Sequence, residues 1–560
     1  MENKDRFDLG PKLGNKSKYE FTKNRTHKRE DSKNRPFNKF DNGNRNRNGN
    51  DSNFNKPRFN KTDSSFDKPK FNRNERFDRD NNFEEEPVEK EKFLEVGTIV
   101  KVKISSYTHE GLGVAKIDIN DKAGNAYTNF PLFIFGMLLD EEGLVEIYKI
   151  QKTYAYARIA KLFKDKQSPD RVEPICPLYT QCGGCNIMHM NYNMQKAFKR
   201  MNVINTLEKI GGFKDVIVDE TLGDEKNSFG YRNKVQVPVA NVRNKMLCGF
   251  YKRESHEIIP IEKCFIQSDE STQIVKFTRN LCNEFGLKGY NEKLNNGDLR
   301  HILVRKTSDD LDYMVVLVCT HEDVFEEEAK ELFIKKLTTR HPVVKSIIIN
   351  VNDKKGNTIM GPTSTTIYGK AYLIDTLLDK KFKIGAISFY QVNHEGCEML
   401  YSKAFELANV IKDDIVIDAY CGIGTIGLLV SDKVKHVYGV DVVPEAIKNA
   451  KENIKLNKVA NATYVCAKAE DQIIKWSKLE EKPTMVFVDP PRKGCDKVFL
   501  ETLVEMNVNK IVYISCDVST LARDLRYLVD NGYTFDRVTP VDMFPETNHI
   551  ENVVCLTKAN

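Results

Sequence analysis

Ile415-Val-Ile-Asp418-Ala-Tyr-Cys-Gly422-Ile-Gly424-Thr-Ile-Gly427 is the stretch that decides the fold. It reads as an apolar strand, a glycine turn and the start of a helix. Glycines there let the backbone turn tightly and come close to a ligand. The next strand, His436-Val-Tyr-Gly-Val-Asp441, ends in a carboxylate about twenty residues on, placed to accept hydrogen bonds from ribose hydroxyls. From about residue 388 to Asn560 strand and helix patterns alternate, which predicts an α/β, Rossmann-like, doubly wound sheet. An acid and an aromatic, Asp418 and Tyr420, precede the turn, so the spacing is not the plain dinucleotide pattern. With Asp441 it favours S-adenosylmethionine over NAD, and Gly422 belongs to the turn that would face it.

Three more groups fall at strand ends. Met485-Val-Phe-Val-Asp489 runs into Pro490-Pro491, and proline stops the strand so that Asp489 is held rigidly at the lip. Such an acid suits a flat heterocycle or the methyl donor. Lys510-Ile-Val-Tyr-Ile-Ser515 is followed by Cys516 and then by a helical pattern. A cysteine there reads as a nucleophile or as a buried structural thiol. Finally, Glu551 opens a last apolar strand after Met543-Phe-Pro-Glu-Thr-Asn-His549-Ile. In isolation Glu551 and His549 read as surface residues, but beside a thiol and a methyl donor a carboxylate is a plausible proton acceptor. Together these groups match one reaction. Uracil C5 is a poor nucleophile; thiolate addition at C6 activates it, the methyl group is taken up, a base removes the C5 proton and the thiol leaves.

The 560 residues suffice for about three or four domains. Residues 1–80 hold 22 Lys and Arg against 13 Asp and Glu, a net of +9, whereas the whole chain is +6, leaving −3 for the rest. Residues 1–90 are low-complexity, rich in Asn, Lys, Arg and Asp with single phenylalanines, and are expected to be a disordered tail. Such a tail suits either loose RNA contact or solubilisation. No secretory pattern opens the chain, and Pro131-Leu-Phe-Ile-Phe-Gly-Met-Leu-Leu139 is too short for a membrane span. Thirteen cysteines without a secretory signal argue for a reducing cytoplasm rather than a disulfide framework.

Between Phe93 and about Phe163 short alternating strands suggest a small β-barrel, of the oligonucleotide-binding type or an SH3-like one without ligand. Cys176, Cys182 and Cys185, with Cys264 further on, form a thiol set that suits zinc, with His189 as a substitute ligand, or an iron–sulfur cluster. Spacing alone leaves both open. An amphipathic helix beginning at about Met194 ends at Gly211-Gly212.

Over about residues 93–560 the chain resembles the RNA uracil-C5 methyltransferases, in particular their RumA-like 23S rRNA branch. Glu110-Gly-Leu-Gly-Val-Ala-Lys and Lys152-Thr-Tyr-Ala-Tyr-Ala-Arg resemble a TRAM domain; Tyr231-Arg-Asn-Lys and Gly249-Phe-Tyr-Lys match the central region; Ser388-Phe-Tyr-Gln391-Val-Asn matches the start of the catalytic domain. The resemblance implies a [4Fe–4S] cluster on Cys176, Cys182, Cys185 and Cys264. It implies cofactor contacts from Gln391, Tyr420, Asp441 and Asp489, Cys516 as nucleophile and Glu551 as base. It also implies that residues 188–220 pack on the catalytic domain. Asp441 stands where Glu is common, and Asp517-Val518 where Asn-Pro is usual. The tail is not a family feature.

The expected organisation is a tail at 1–90, a TRAM (OB-like) RNA-binding domain at 91–163, a mixed α+β iron–sulfur region at 164–387 and a methyltransferase domain at 388–560. The expected substrate is RNA, with 23S rRNA ahead of tRNA, and neither DNA nor a membrane is an expected partner. Two other classes remain: an S-adenosylmethionine-dependent N-methyltransferase, which would not need Cys516, and a non-catalytic RNA-binding ribosome factor, which would not need Asp441, Cys516 and Glu551 at successive strand ends.

Overall fold

The computed structural model describes residues 93–242 and 245–559. The expected tail lies outside the described residues. The first strands are β1 (Ile99–Lys103), β2 (Ser106–Tyr107), β3 (Gly113–Asn120), β4 (Ala126–Ile134), β5 (Glu142–Ile150) and β6 (Ala155–Leu162). They join one sheet in the order β1-β5-β6-β4-β3-β2. Alternate residues supply its core, among them Val100, Val102, Leu132, Ile134, Val145 and Ile147. The apolar run Pro131–Leu139, notable in sequence only for its length, divides between β4 and the turn after it. Apolar residues on both faces of β4, such as Leu132 inside and Phe133 half-buried outside, hide the period of two. No helix among the described residues is long and apolar enough to cross a membrane.

Helix α1 (Tyr192–Lys209) starts two residues before the expected Met194, because the Asn191 side chain accepts from Met194 N and caps it. A short strand, β7 (Ile217–Val218), follows. Then come β8 (Lys234–Val242), β9 (Lys245–Tyr251), β10 (Ile258–Pro260), α2 (Asp269–Glu284), β11 (Leu299–Lys306), β12 (Tyr313–Cys319), α3 (Glu327–Arg340), β13 (Val344–Val351) and β14 (Thr363–Gly369). Their sheet runs β10-β9-β8-β11-β12-β13-β14. Helices α2 and α3 cover one face. On the other face Leu303, Met314, Val316 and Val318 meet Leu373 of the hairpin β15 (Tyr372–Leu377) and β16 (Lys380–Gly385). Covered on both sides, Tyr313–Cys319 is buried throughout, so it reads as an unbroken apolar run.

The third sheet carries α4 (His394–Ala408), β17 (Ile415–Ala419), α5 (Thr425–Val430), β18 (His436–Asp441), α6 (Pro444–Leu456), β19 (Ala462–Cys466), α7 (Ala469–Trp476), β20 (Met485–Val488), α8 (Lys497–Met506), β21 (Lys510–Ser515), α9 (Val518–Asp530), β22 (Tyr533–Thr534), β23 (Arg537–Val541) and β24 (Glu551–Lys558). The order is β19-β18-β17-β20-β21-β24-β23-β7. The strands from β19 to β21 are parallel, and β24 is antiparallel to β21. Apolar cores fill both faces, as a doubly wound sheet requires. The sheet does not begin at residue 388: β7 pairs in parallel with β23, and Val203 and Leu207 of α1 enter the core beneath α9.

Candidate active site

The strand order turns separate sequence signals into one line. Neighbouring strands β18, β17, β20, β21 and β24 bring Asp441, the Tyr420–Gly424 turn, Asp489, Cys516 and Glu551 to one lip of the sheet. The chain leaves β17 toward β18 and β19, then returns to its other side with β20. The lip between β17 and β20 is therefore the topological switch point, where open α/β sheets bind ligands.

At one end of the line the glycine turn is tied to β18. Gly422 N donates to Asp441 Oδ2 at 3.0 Å, and Val443 N donates to Asp441 Oδ1 at 2.8 Å. Each carboxylate oxygen keeps further acceptor capacity for a ligand hydroxyl. Tyr420 has a φ of 62°, a left-handed conformation that a bulky residue adopts only when its surroundings impose it. Its ring packs against Phe499, centroids 5.6 Å apart. Gln391 lies buried between β16 and α4, with its carbonyl accepting from Asn233 Nδ2 at 2.9 Å.

At the other end Ser515 of β21 pairs with Asn552 of β24 in an antiparallel ladder. The ladder ends there; Cys516 and Glu551 are the next residues on either side of that last pair, close enough for the Glu551 charge to act on the Cys516 thiol. Burial pushes the Cys516 thiol up to about 12, and the Glu551 and Asp489 charges push the same way, whereas Arg492 opposes them. Glu551 is buried, and its Oε2 has no hydrogen-bond partner. Burial and the neighbouring Asp489 raise its carboxyl well above the usual range, with Arg492 again opposing. Asp489, also driven up by burial, stands between the two ends. His549 is exposed, its ring 6.0 Å from that of Phe544.

Several contributing residues escaped the sequence reading. Arg492 is the cation that faces this acidic lip, yet in sequence it is one of many basic residues. Asp418, read only as the acid before the turn, accepts from Gly427 N at 2.8 Å and secures the first turn of α5. Arg253 holds the cysteine loop, donating to the carbonyls of Cys182 at 3.0 Å and Cys185 at 2.8 Å and stacking 3.8 Å from the Phe135 ring centroid. No local motif marks any of these three roles.

Cys176, Cys182, Cys185 and Cys264 all line one cavity of about 310 Å³, together with Arg232 and Lys234. Gly183 N donates to Tyr251 O at 3.0 Å, which ties the loop to the sheet beside it. Among the described residues no three of His, Cys, Asp and Glu stand close enough to hold one metal ion. His189, the substitute ligand considered for zinc, is not on the cavity wall. It is buried, with Nδ1 2.6 Å from the Tyr179 hydroxyl, its ring packed against both Tyr179 and Phe135.

Comparison with known proteins agrees with this layout. Residues 365–559 match the family described as tRNA (Uracil-5-)-methyltransferase. An uncharacterized RNA methyltransferase of Halalkalibacterium halodurans is 42% identical over 462 residues, spanning 82% of this chain and 97% of its own length. One from Oceanobacillus iheyensis is 43% identical over 460 residues, with 82% and 96% covered. Among solved structures, the Pyrococcus abyssi tRNA (uracil-54, C5)-methyltransferase in complex with S-adenosyl-L-homocysteine shares the fold. Its TM-score is 0.62 at 24% identity, covering 82% of this chain and 99% of that one. The chain belongs to the S-adenosylmethionine-dependent RNA (uracil-5-)-methyltransferases.

Proposed function

We propose that the chain methylates C5 of uridine in 23S rRNA, with Cys516 as nucleophile and Glu551 as proton acceptor. The observation that carries this reading is that Cys516 and Glu551 flank the last register pair of neighbouring strands, Ser515 with Asn552. C6 and C5 of a pyrimidine are adjacent atoms, and the reaction needs a nucleophile at one and a base at the other. Gln391, Tyr420, Gly422, Asp441 and Asp489 form the cofactor side, and S-adenosylmethionine supplies an electrophilic methyl group when bound. Cys516 attacks C6 and activates C5. After methylation Glu551 takes the C5 proton; that electron pair forms the C5–C6 double bond, and the C6–sulfur bond breaks to return the thiolate. The raised affinity of Glu551 for protons makes its carboxylate a stronger base than an exposed one.

The four cysteines lining one cavity support a [4Fe–4S] cluster held by Cys176, Cys182, Cys185 and Cys264. Thiols spread around a space larger than one ion suit a cluster better than a single zinc. The six-stranded sheet is then the TRAM barrel of oligonucleotide-binding type. Its own core, separate from that of the β8–β14 sheet, supports a division near residue 163. The barrel and thiol set favour rRNA; the fold shared with a tRNA-modifying enzyme favours tRNA as the second reading.

Two measurements test the proposal. RNA containing 5-fluorouridine should trap a covalent complex with the intact protein but not with the Cys516→Ala variant, since fluorine does not leave as a proton does. Adduct formation by the variant would remove Cys516 from its role. Mapping 5-methyluridine in rRNA and tRNA of cells with and without the gene decides the substrate: loss from 23S rRNA supports the reading, and loss confined to tRNA replaces it.

A further inference from the structure

The segment before Glu551 is held by side chains from α1 and the turn ahead of it. Lys199 is wholly buried, and its ammonium donates to Asp542 Oδ1 at 2.5 Å and to the Phe544 carbonyl at 3.0 Å. One turn earlier on the same helix, Gln195 Nε2 donates to Glu546 Oε2 at 3.2 Å, and its Oε1 accepts from Glu546 N at 3.0 Å. Asn186 completes the set. Its Oδ1 accepts from Asn548 N, and its Nδ2 donates to Asn548 Oδ1, both at 2.8 Å. Glu546 sits at a φ of 70°, a left-handed conformation that needs such support. Two residues after Asn548, Ile550 leads directly into Glu551.

A buried ion pair must offset the desolvation of both charges, so an apolar pair of similar volume is often no less stable. The best-attested use of a pair like this is to select one arrangement over others. Gln195 and Lys199, four residues apart, share one face of α1 and grip the segment at two points.

We propose that Lys199 and Asp542 are positioning residues for Glu551: their buried pair fixes segment 542–550 so that the carboxylate opens β24 beside Cys516. The inference rests on the reading of Glu551 as base. It predicts a defect confined to the last step, in which the C5–H pair forms the double bond, the C6–sulfur bond breaks and the proton goes to Glu551.

The test uses the full chain with unmodified substrate RNA in single turnover. Transfer of a labelled methyl group and loss of the covalent protein–RNA adduct are timed separately. The double variant Lys199→Met/Asp542→Asn leaves no lone buried charge; Lys199→Met/Asp542→Leu, which is wholly apolar and likewise strands no charge, serves as a second variant. Both should transfer the methyl group within a few-fold of the unaltered protein yet release the product at least tenfold more slowly, so that adduct accumulates. Equal slowing of both steps, as a merely structural role would give, overturns the proposal. So does normal release by both variants while Glu551→Gln stalls. Normal release by Glu551→Gln overturns the base reading and this inference with it.

Discussion

Replacing Asp418 by asparagine should flatten the pH dependence of stability. Asp418 is 1% exposed; Oδ2 accepts from Gly427 N, and Oδ1 has no partner. Burial pushes its carboxyl from 3.8 up to about 7, with Asp489 and Asp441 adding in the same direction and the Gly427 hydrogen bond opposing. The difference of roughly 3 units, at about 1.4 kcal/mol each, corresponds to about 4 kcal/mol. The folded value is the higher one, so the fold favours the protonated acid. The Asp418 contribution to stability is therefore fully present below about pH 4 and is lost as pH rises through about 7. Asparagine keeps an acceptor for Gly427 and does not ionise. With an unfolding entropy of about 2 cal/mol/K per residue over roughly 470 residues, 4 kcal/mol is about 4 °C in Tm. Scanning calorimetry of cofactor-free protein between pH 4 and pH 8 should show the unaltered Tm falling more steeply than that of Asp418→Asn. Parallel curves would refute the argument that burial of this carboxyl costs stability when it ionises.

Glu551→Gln should lower turnover by about 10²–10⁴-fold, the usual cost of losing a general base, and should trap adduct with ordinary RNA. Near-normal turnover would move the base elsewhere. Gly427→Ala should weaken S-adenosylmethionine binding and stability together. A Cβ there would stand 2.7 Å from Val437 Cγ1 and 2.9 Å from Asp418 Oδ2, and overpacking of this kind costs about 1–3 kcal/mol; unchanged calorimetric affinity and Tm would contradict it. Cys264→Ser should abolish iron and sulfide content and lower Tm in protein prepared without oxygen. Stoichiometric zinc without iron in the unaltered protein would refute the cluster.

The catalytic sheet was legible because three of its parallel strands lead to a chemically marked residue: Asp441, Asp489 and Cys516 each close an apolar run. Strand order was not legible, and it is the order that makes these groups neighbours. β4 is hard to read in sequence because its two faces are both apolar over Pro131–Ile134. The clamp on segment 542–548 was invisible for another reason. Lys199 pairs with a partner 343 residues away, and Gln195 with one 351 away. On residue type alone, a lysine in an amphipathic helix reads as its solvated face, yet this one has no exposed surface.

The direction of the last strand explains why such a clamp is needed. A parallel strand delivers its C-terminal residue to the lip, so Asp441, Asp489 and Cys516 inherit their positions from the strands behind them. Glu551 belongs to the antiparallel β24 and is its first residue. The strand fixes the residues after Glu551, not those before it. Its carboxylate, buried and with Oε2 unpartnered, depends on the turn between β23 and β24 for its placement. That turn spans residues 542–550 and carries a left-handed Glu546. A loop of that length holds one conformation only when its polar groups find partners. Those partners come from the stretch after Cys185, which then continues through α1 to β7 at the edge of the same sheet. One length of chain thus reaches from the cysteine cavity to the turn that leads into Glu551.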